Sequence, residues 1–199
     1  MPNVTSVKSK FFEPQAVDDN AVSTTGTAAT LVIADGGPYG NLTQTITIAS
    51  ASGNNAGNTF TITGTDGNGD ALTEDLTGPG SGATVNSAEK YATITSIVSD
   101  GAIVSDIYAG ILGTGTGTGI IFAGRTRVRG MQGASKAAAG NVVFKNTSIT
   151  GTTLLTVPTT GAVSSIEPYI SDNAVLFNAG AYINIPAAAI TGLTVFYDG

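Results

Sequence analysis

Few residues in this sequence have the types and spacing that could do chemistry. Asp66-Gly67-Asn68-Gly69-Asp70 sets oxygen-bearing side chains at alternate positions, the D-x-N-x-D spacing with which a loop holds one calcium ion. The rest of that pattern is missing, because Ala71 stands where it requires Gly and Thr77 where it requires Glu, so the segment reads as a hairpin tip, with weak calcium binding by this tip together with Glu74 or Asp75 as the alternative. Glu74 and Asp75 are adjacent, and neighbours on a strand point to opposite faces, so they cannot share a site as paired acid and base. Gly113 to Gly119 alternates Gly with Thr, yet Thr118 occupies the last glycine position of a GxGxxG loop and no GK[ST] follows. Arg125, Arg127 and Arg129 are spaced i, i+2, i+4, which on one strand aligns three guanidinium groups on a single face. They are three of only eight basic residues, and the planar fork of Arg suits fixed pairing with carboxylates across a protein interface.

The absences are as informative. With no Cys and no His there is no Ser-His-Asp triad, no thiol nucleophile, no redox pair, no disulfide and no zinc site of the usual N/S kind. No catalytic residue, metal or cofactor is expected, and the chain is expected not to be an enzyme. A formal charge of −6 and a pI near 4.3 argue against a basic nucleic-acid-binding surface. No run approaches 18 apolar residues, and MPNVTSVKSKFFEPQ lacks the basic region, apolar run and cleavage site of a signal peptide, so neither membrane nor secretory pathway is expected. Other proteins are the expected partners.

The elements that position these residues follow from periodicity. Apolar residues recur at period two, as in Leu42, Ile46 and Ile48 against Thr43, Thr45 and Thr47, and thirty threonines suit a pleated, half-exposed surface. Thr59 to Thr65 and Ala71 to Thr77 read as a hairpin. Further strands are expected at Tyr91 to Val98, Ile103 to Ala109, Ile120 to Met131, Asn141 to Lys145, Thr152 to Val157, Ala174 to Phe177, Tyr182 to Ile185 and Leu193 to Tyr197, with one helical turn at Pro186 to Ala189. The expected fold is all-β: two small antiparallel β-sandwich domains, Ig-like or jelly-roll-like, in tandem with an extended N-terminal arm. The arm is 1–17, the first sandwich 18–112, a Gly/Thr linker 113–119 and the second sandwich 120–199. Residues 1 to 119 carry a balance of −8 and residues 120 to 199 one of +2. Lys8, Lys10, Phe11 and Phe12 give the arm charge and apolar area for docking on a neighbour, which with the arginine stripe makes seven candidate interface residues.

The run LTQTITIASASGNNAGNTFTITGTDGNGDALTEDLTGPGSG, followed by EKYATITSIVSDGA, resembles a module of small structural proteins of tailed bacteriophages. There an FTVTGTD-like hairpin leads to an ITETITGPN-like strand and a KYFKTVTSI-like strand. The second half, from RTRVRGMQGASKAAAGNVVFKN to AVLFNAGAYINIPAAAITGLTVFYDG, is similar to another phage module that reads RVRGIYY, GTVVFKDG, LLTIDTP, GEGVLF and SVTVFY. Met131-Gln132 departs from its aromatic pair. The resemblance implies a virion protein, assembled in the host cytoplasm, that works as a head decoration or cement subunit. It would bind the major capsid protein or other virion proteins in many copies, as a symmetric homo-oligomer with a trimer favoured. The alternative is a tail, head-fibre or adaptor protein that binds a host glycan through Tyr39, Tyr91, Tyr108, Tyr169 or Tyr182.

Overall fold

Alternation of β-branched and small polar residues fixes the secondary structure. The computed structural model describes residues 6–171 and 173–198, and among them there is no helix. The strands are β1 (Val7–Phe12), β2 (Gln44–Ser50), β3 (Thr59–Thr65), β4 (Ala71–Thr77), β5 (Thr84–Tyr91), β6 (Thr93–Ser99), β7 (Ile107–Ile111), β8 (Thr116–Phe122), β9 (Thr126–Ser135), β10 (Ala139–Asn146), β11 (Thr153–Thr160), β12 (Ser165–Ile166), β13 (Val175–Phe177), β14 (Ala181–Pro186) and β15 (Ile190–Asp198). Every strand pairing between them is antiparallel.

The chain forms two units. One comprises Gln15–Tyr39 and Thr43–Thr114; its single basic and ten acidic residues give a balance of −9. Its sheets run β5-β2-β7 and β4-β3-β6. Ile46 and Ile48 from the first sheet and Phe60, Ile62, Ile94 and Ile97 from the second meet in one core, each at most 3% exposed. The segment 18–34 hydrogen-bonds along both β7 and β6, with Val22 N–H on Ala109 O (3.0 Å) and Leu31 N–H on Ile97 O (3.0 Å), so it closes that side of the sandwich. On the other side β5 bulges away from β2 between Asn86 and Lys90. There Ser87 Oγ replaces the lost ladder partner by accepting the Ile46 N–H at 2.9 Å.

The other unit comprises Gly40–Leu42, Gly115–Gly199 and Met1–Pro14, with seven basic and four acidic residues, a balance of +3. Its sheets run β1-β15-β9-β12, with β13 also on β9, and β11-β10-β14-β8. Phe12, Val128, Leu193 and Val195 from the first and Val142, Phe144 and Ile183 from the second share its core.

Four expectations need correction. The described part of the N-terminal segment is not an arm, since Val7 to Phe12 pair with Asp198 to Leu193; residues 1–5 lie outside the described residues. The Gly/Thr stretch is not a linker from Thr116 onward, because that is where β8 begins, and Gly117 and Gly119 face inward. A Cβ on Gly119 would meet the Phe12 ring at 2.9 Å, and one on Gly117 would meet Leu42 at 2.9 Å. These glycines are therefore positions into which distant side chains pack. Ile120 to Met131 is not one strand, because a bend at Ala123, Gly124 and Arg125 separates β8 from β9. Pro186 to Ala189 forms the tight β14–β15 turn, with Ala189 N–H on Pro186 O at 3.0 Å, rather than a helical turn.

Candidate protein interface

The acidic motifs serve the fold. Asp66 Oδ1 accepts the N–H groups of Asn68 (2.8 Å) and Asp70 (2.9 Å), and its Oδ2 accepts from Asn68 Nδ2 (3.0 Å), so this carboxylate ties the β3–β4 tip together from within. Glu74 lies between Leu72 and Leu76 on the inner side of β4. It reaches across to β5, where its two oxygens accept from Ala88 N–H (2.7 Å) and Glu89 N–H (3.2 Å) at the bulge. Asp75, on the opposite face, accepts from Thr61 Oγ1 at 2.7 Å. Among the described residues no three His, Cys, Asp or Glu side chains converge as a metal site.

The tyrosines are dispersed. Tyr91 is fully buried, Tyr39 and Tyr182 nearly so, Tyr108 is half-buried and Tyr169 is exposed. Burial raises the hydroxyl pKa of both Tyr39 and Tyr91 well above the ordinary tyrosine value, with Asp35 adding to it at Tyr39 and Glu74 and Glu89 at Tyr91. Tyr39 edges a cleft of about 350 Å³ with Gln15, Asp18, Asp35 and Ile111, but its hydroxyl is engaged in donating to Asp35 O at 2.5 Å. Asp18 and Asp35 in turn accept the N–H groups of Asn20 and Gly37.

The arginines lead to a surface. Arg125 lies in the bend before β9, off the strand, and only Arg127 and Arg129 remain on the expected stripe. The register places them. Val7 of β1 stands opposite Asp198 of β15, Asp198 opposite Arg127 of β9, and Arg127 opposite Leu176 of β13, so these four side chains form one row on the outer face of the sheet. The next rows add Ser9 beside Phe196, and Phe11 beside Thr194 and Gln132. Arg129 sits at a β9 bulge between the Val128 and Gly130 pairings. Its Nη2 (2.7 Å) and Nε (2.8 Å) both reach Asp198 Oδ2, a bond that raises its pKa further. Arg127 is exposed and has no ion-pair partner among the described residues.

Two rings on this face lie over glycines. A Cβ on Gly192 would fall 2.8 Å from Phe11 Cζ, and one on Gly130 would fall 3.9 Å from Phe196 Cδ2. Phe11 nevertheless stays 49% exposed and Val7 58% exposed. The outer face is thus apolar at Val7, Phe11, Phe196 and Leu176, and the Arg127 guanidinium among them has no ion-pair partner among the described residues.

Of the seven expected interface residues, the structure brings Phe11, Arg127 and Arg129 together on this face. Phe12, Lys8 and Lys10 point to the inner side of β1, because residues in even positions share the phase of buried Phe12. Lys8 lies over the Phe122 ring (5.7 Å), and Lys10 Nζ donates to Ile120 O at 2.7 Å, where partial burial lowers its pKa. Val7, Leu176, Phe196 and Asp198 were not picked out from the sequence. Phe196 was legible there, since it is out of phase with Leu193, Val195 and Tyr197 and must point outward if they point in. Comparison with protein-family profiles, curated proteins and solved structures finds no match.

Proposed function

We propose that the chain is a non-enzymatic structural subunit of a tailed-phage virion, a decoration protein that binds the head surface in many copies and docks through the outer face of the β1-β15-β9-β13 sheet. The observation that carries this reading is the combination on that face of Val7, Phe11, Phe196 and Leu176 with exposed Arg127. Apolar area flanked by Arg is the composition that protein interfaces favour. The unit that presents it carries +3 in a chain of net −6, so an acidic partner surface would attract this unit and repel the other. Repetition on a lattice lets modest contacts hold, because each subunit added to a symmetric assembly gains from its neighbours.

The experiment mixes purified protein with phage heads that lack it, and separately with tails, and reads bound protein per particle against salt. Saturable binding to heads that weakens as salt rises supports the reading. Binding to tails alone, or to a host glycan with heads left bare, overturns it.

A further inference from the structure

β1 pairs with β15 on one side, and among the described residues no strand pairs with its other side. In an antiparallel ladder successive residues turn their N–H and C=O groups alternately toward and away from the neighbour. Phe11 O accepts from Asn41 Nδ2 at 2.9 Å, and Glu13 N–H donates to Gly40 O at 3.0 Å. Odd-numbered residues are therefore the ones turned away from β15. Residues 40–42 meet this edge at Phe11 and beyond, while the outward N–H and C=O groups of Val7 and Ser9 have no partner among the described residues.

Most of the other edges are covered, short or lack a donor, which is how native sheets avoid unwanted pairing. The segment 18–34 covers β7 and β6, and the Glu74 carboxylate joins β4 to β5. β11 carries Pro158, which has no N–H to donate, and β12 and β13 have two and three residues. The open stretch of β1 is two-sided. Val7 and Ser9 continue the outer apolar face, while Lys8 and Lys10 lie on the inner side with no carboxylate partner among the described residues. A second copy paired antiparallel about Ser9 would set Lys8 against the second copy's Lys10, like charges directly opposite each other.

We propose that the open edge of β1 captures an extended strand of another protein in which apolar residues alternate with carboxylates, the apolar ones extending the Val7 face and the carboxylates facing Lys8 and Lys10. Main-chain bonds to Val7 and Ser9 would hold the strand and the lysines would select it. This goes beyond the docking face, and its test uses no virion component, so the two readings stand or fall separately.

The test titrates the full-length protein with a capped six-residue peptide alternating valine and glutamate, and with its valine and lysine counterpart, following backbone amide shifts. The expected result is saturable binding of the glutamate peptide with shifts centred on β1, and binding of the lysine peptide weaker by about fivefold or more. Ser9→Pro, which deletes an outward donor without touching the β15 ladder, weakens binding by about tenfold. Lys8→Glu, at an exposed position, offsets the charge of Lys10 and removes the wild type's preference for the glutamate peptide, and it carries the test if Ser9→Pro fails to fold. No saturable binding, equal binding of both peptides by the wild type, shifts centred elsewhere, or a dimer of the free protein that Ser9→Pro dissociates would each overturn the proposal.

Discussion

Replacing Gly119 by Ala puts a single methyl group where the structure and a flexible-linker reading demand opposite signs. Gly119 has no positive φ, so Ala can adopt its backbone, and the cost is steric alone. The new Cβ would lie 2.9 Å from Phe12 Cε1 and 3.3 Å from Cδ1, and it would also press on the carbonyl oxygen of Asn41. Phe12 is fully buried in the core of the cationic unit and cannot swing away without opening a void. Overpacking of this kind destabilises by about 1–3 kcal/mol. In a unit of this size, each kcal/mol lowers the melting temperature by about 4–8 °C. In a linker the same substitution would stabilise by about 0.4–1 kcal/mol, because it restricts the unfolded chain. Differential scanning calorimetry of Gly119→Ala beside Gly57→Ala, whose Cβ would meet nothing within 4 Å, reads the sign directly. A melting temperature for Gly119→Ala equal to or above that of the wild type would refute the packing of β8 against Phe12.

Three further outcomes follow from the geometry. Glu74→Gln leaves one of the Ala88 and Glu89 N–H groups without its acceptor and lowers the stability of the anionic unit by about 1 kcal/mol, measured by urea unfolding. Asp66→Ala removes the acceptor that ties the β3–β4 tip and costs a similar amount, about 1 kcal/mol, with faster amide exchange at Asn68 and Asp70. Tyr39 and Tyr91 make the anionic unit sensitive to alkali. Their folded pKa values are raised, so above about pH 10 the unfolded chain releases protons that the folded chain keeps, and each tyrosine then removes up to about 1.4 kcal/mol of stability per pH unit. Tyrosinate absorbance from these two groups is expected to rise together with loss of β-sheet circular dichroism, and Tyr91→Phe is expected to move that transition to higher pH. Full ionisation with the sheet signal intact would contradict their burial.

What the sequence made legible was local. The β3–β4 hairpin could be read to its end residues, because period-two threonines flank a run of turn formers. β8 could not, because its inward positions are Gly117 and Gly119 and the side chains that fill them come from Leu42 and Phe12, far away in sequence. β5 was missed because a Ser87 to Glu89 bulge breaks its alternation, and its support comes from Glu74 on another strand. β1 read as a loose arm because an edge strand buries little of its own surface, and its register is set by β15 at the opposite end of the chain. The same limit applied to the interface. Arg125 matched the stripe by spacing, yet the small Ala123-Gly124 pair bends the chain just before it. Phe11 and Phe12 looked like a pair, but strand alternation sends one to solvent and the other into the core.

The outer face of the β1-β15-β9-β13 sheet is the proposed docking surface for the head of a virion. The most direct measurement is the occupancy of phage heads lacking this protein by the wild type and by a Phe11→Asp, Arg127→Glu double variant whose melting temperature matches the wild type. The account predicts heads that fill with wild-type protein and at least about tenfold weaker binding of the variant, since it loses an apolar anchor and reverses the free charge. Heads decorated equally by both proteins would contradict it.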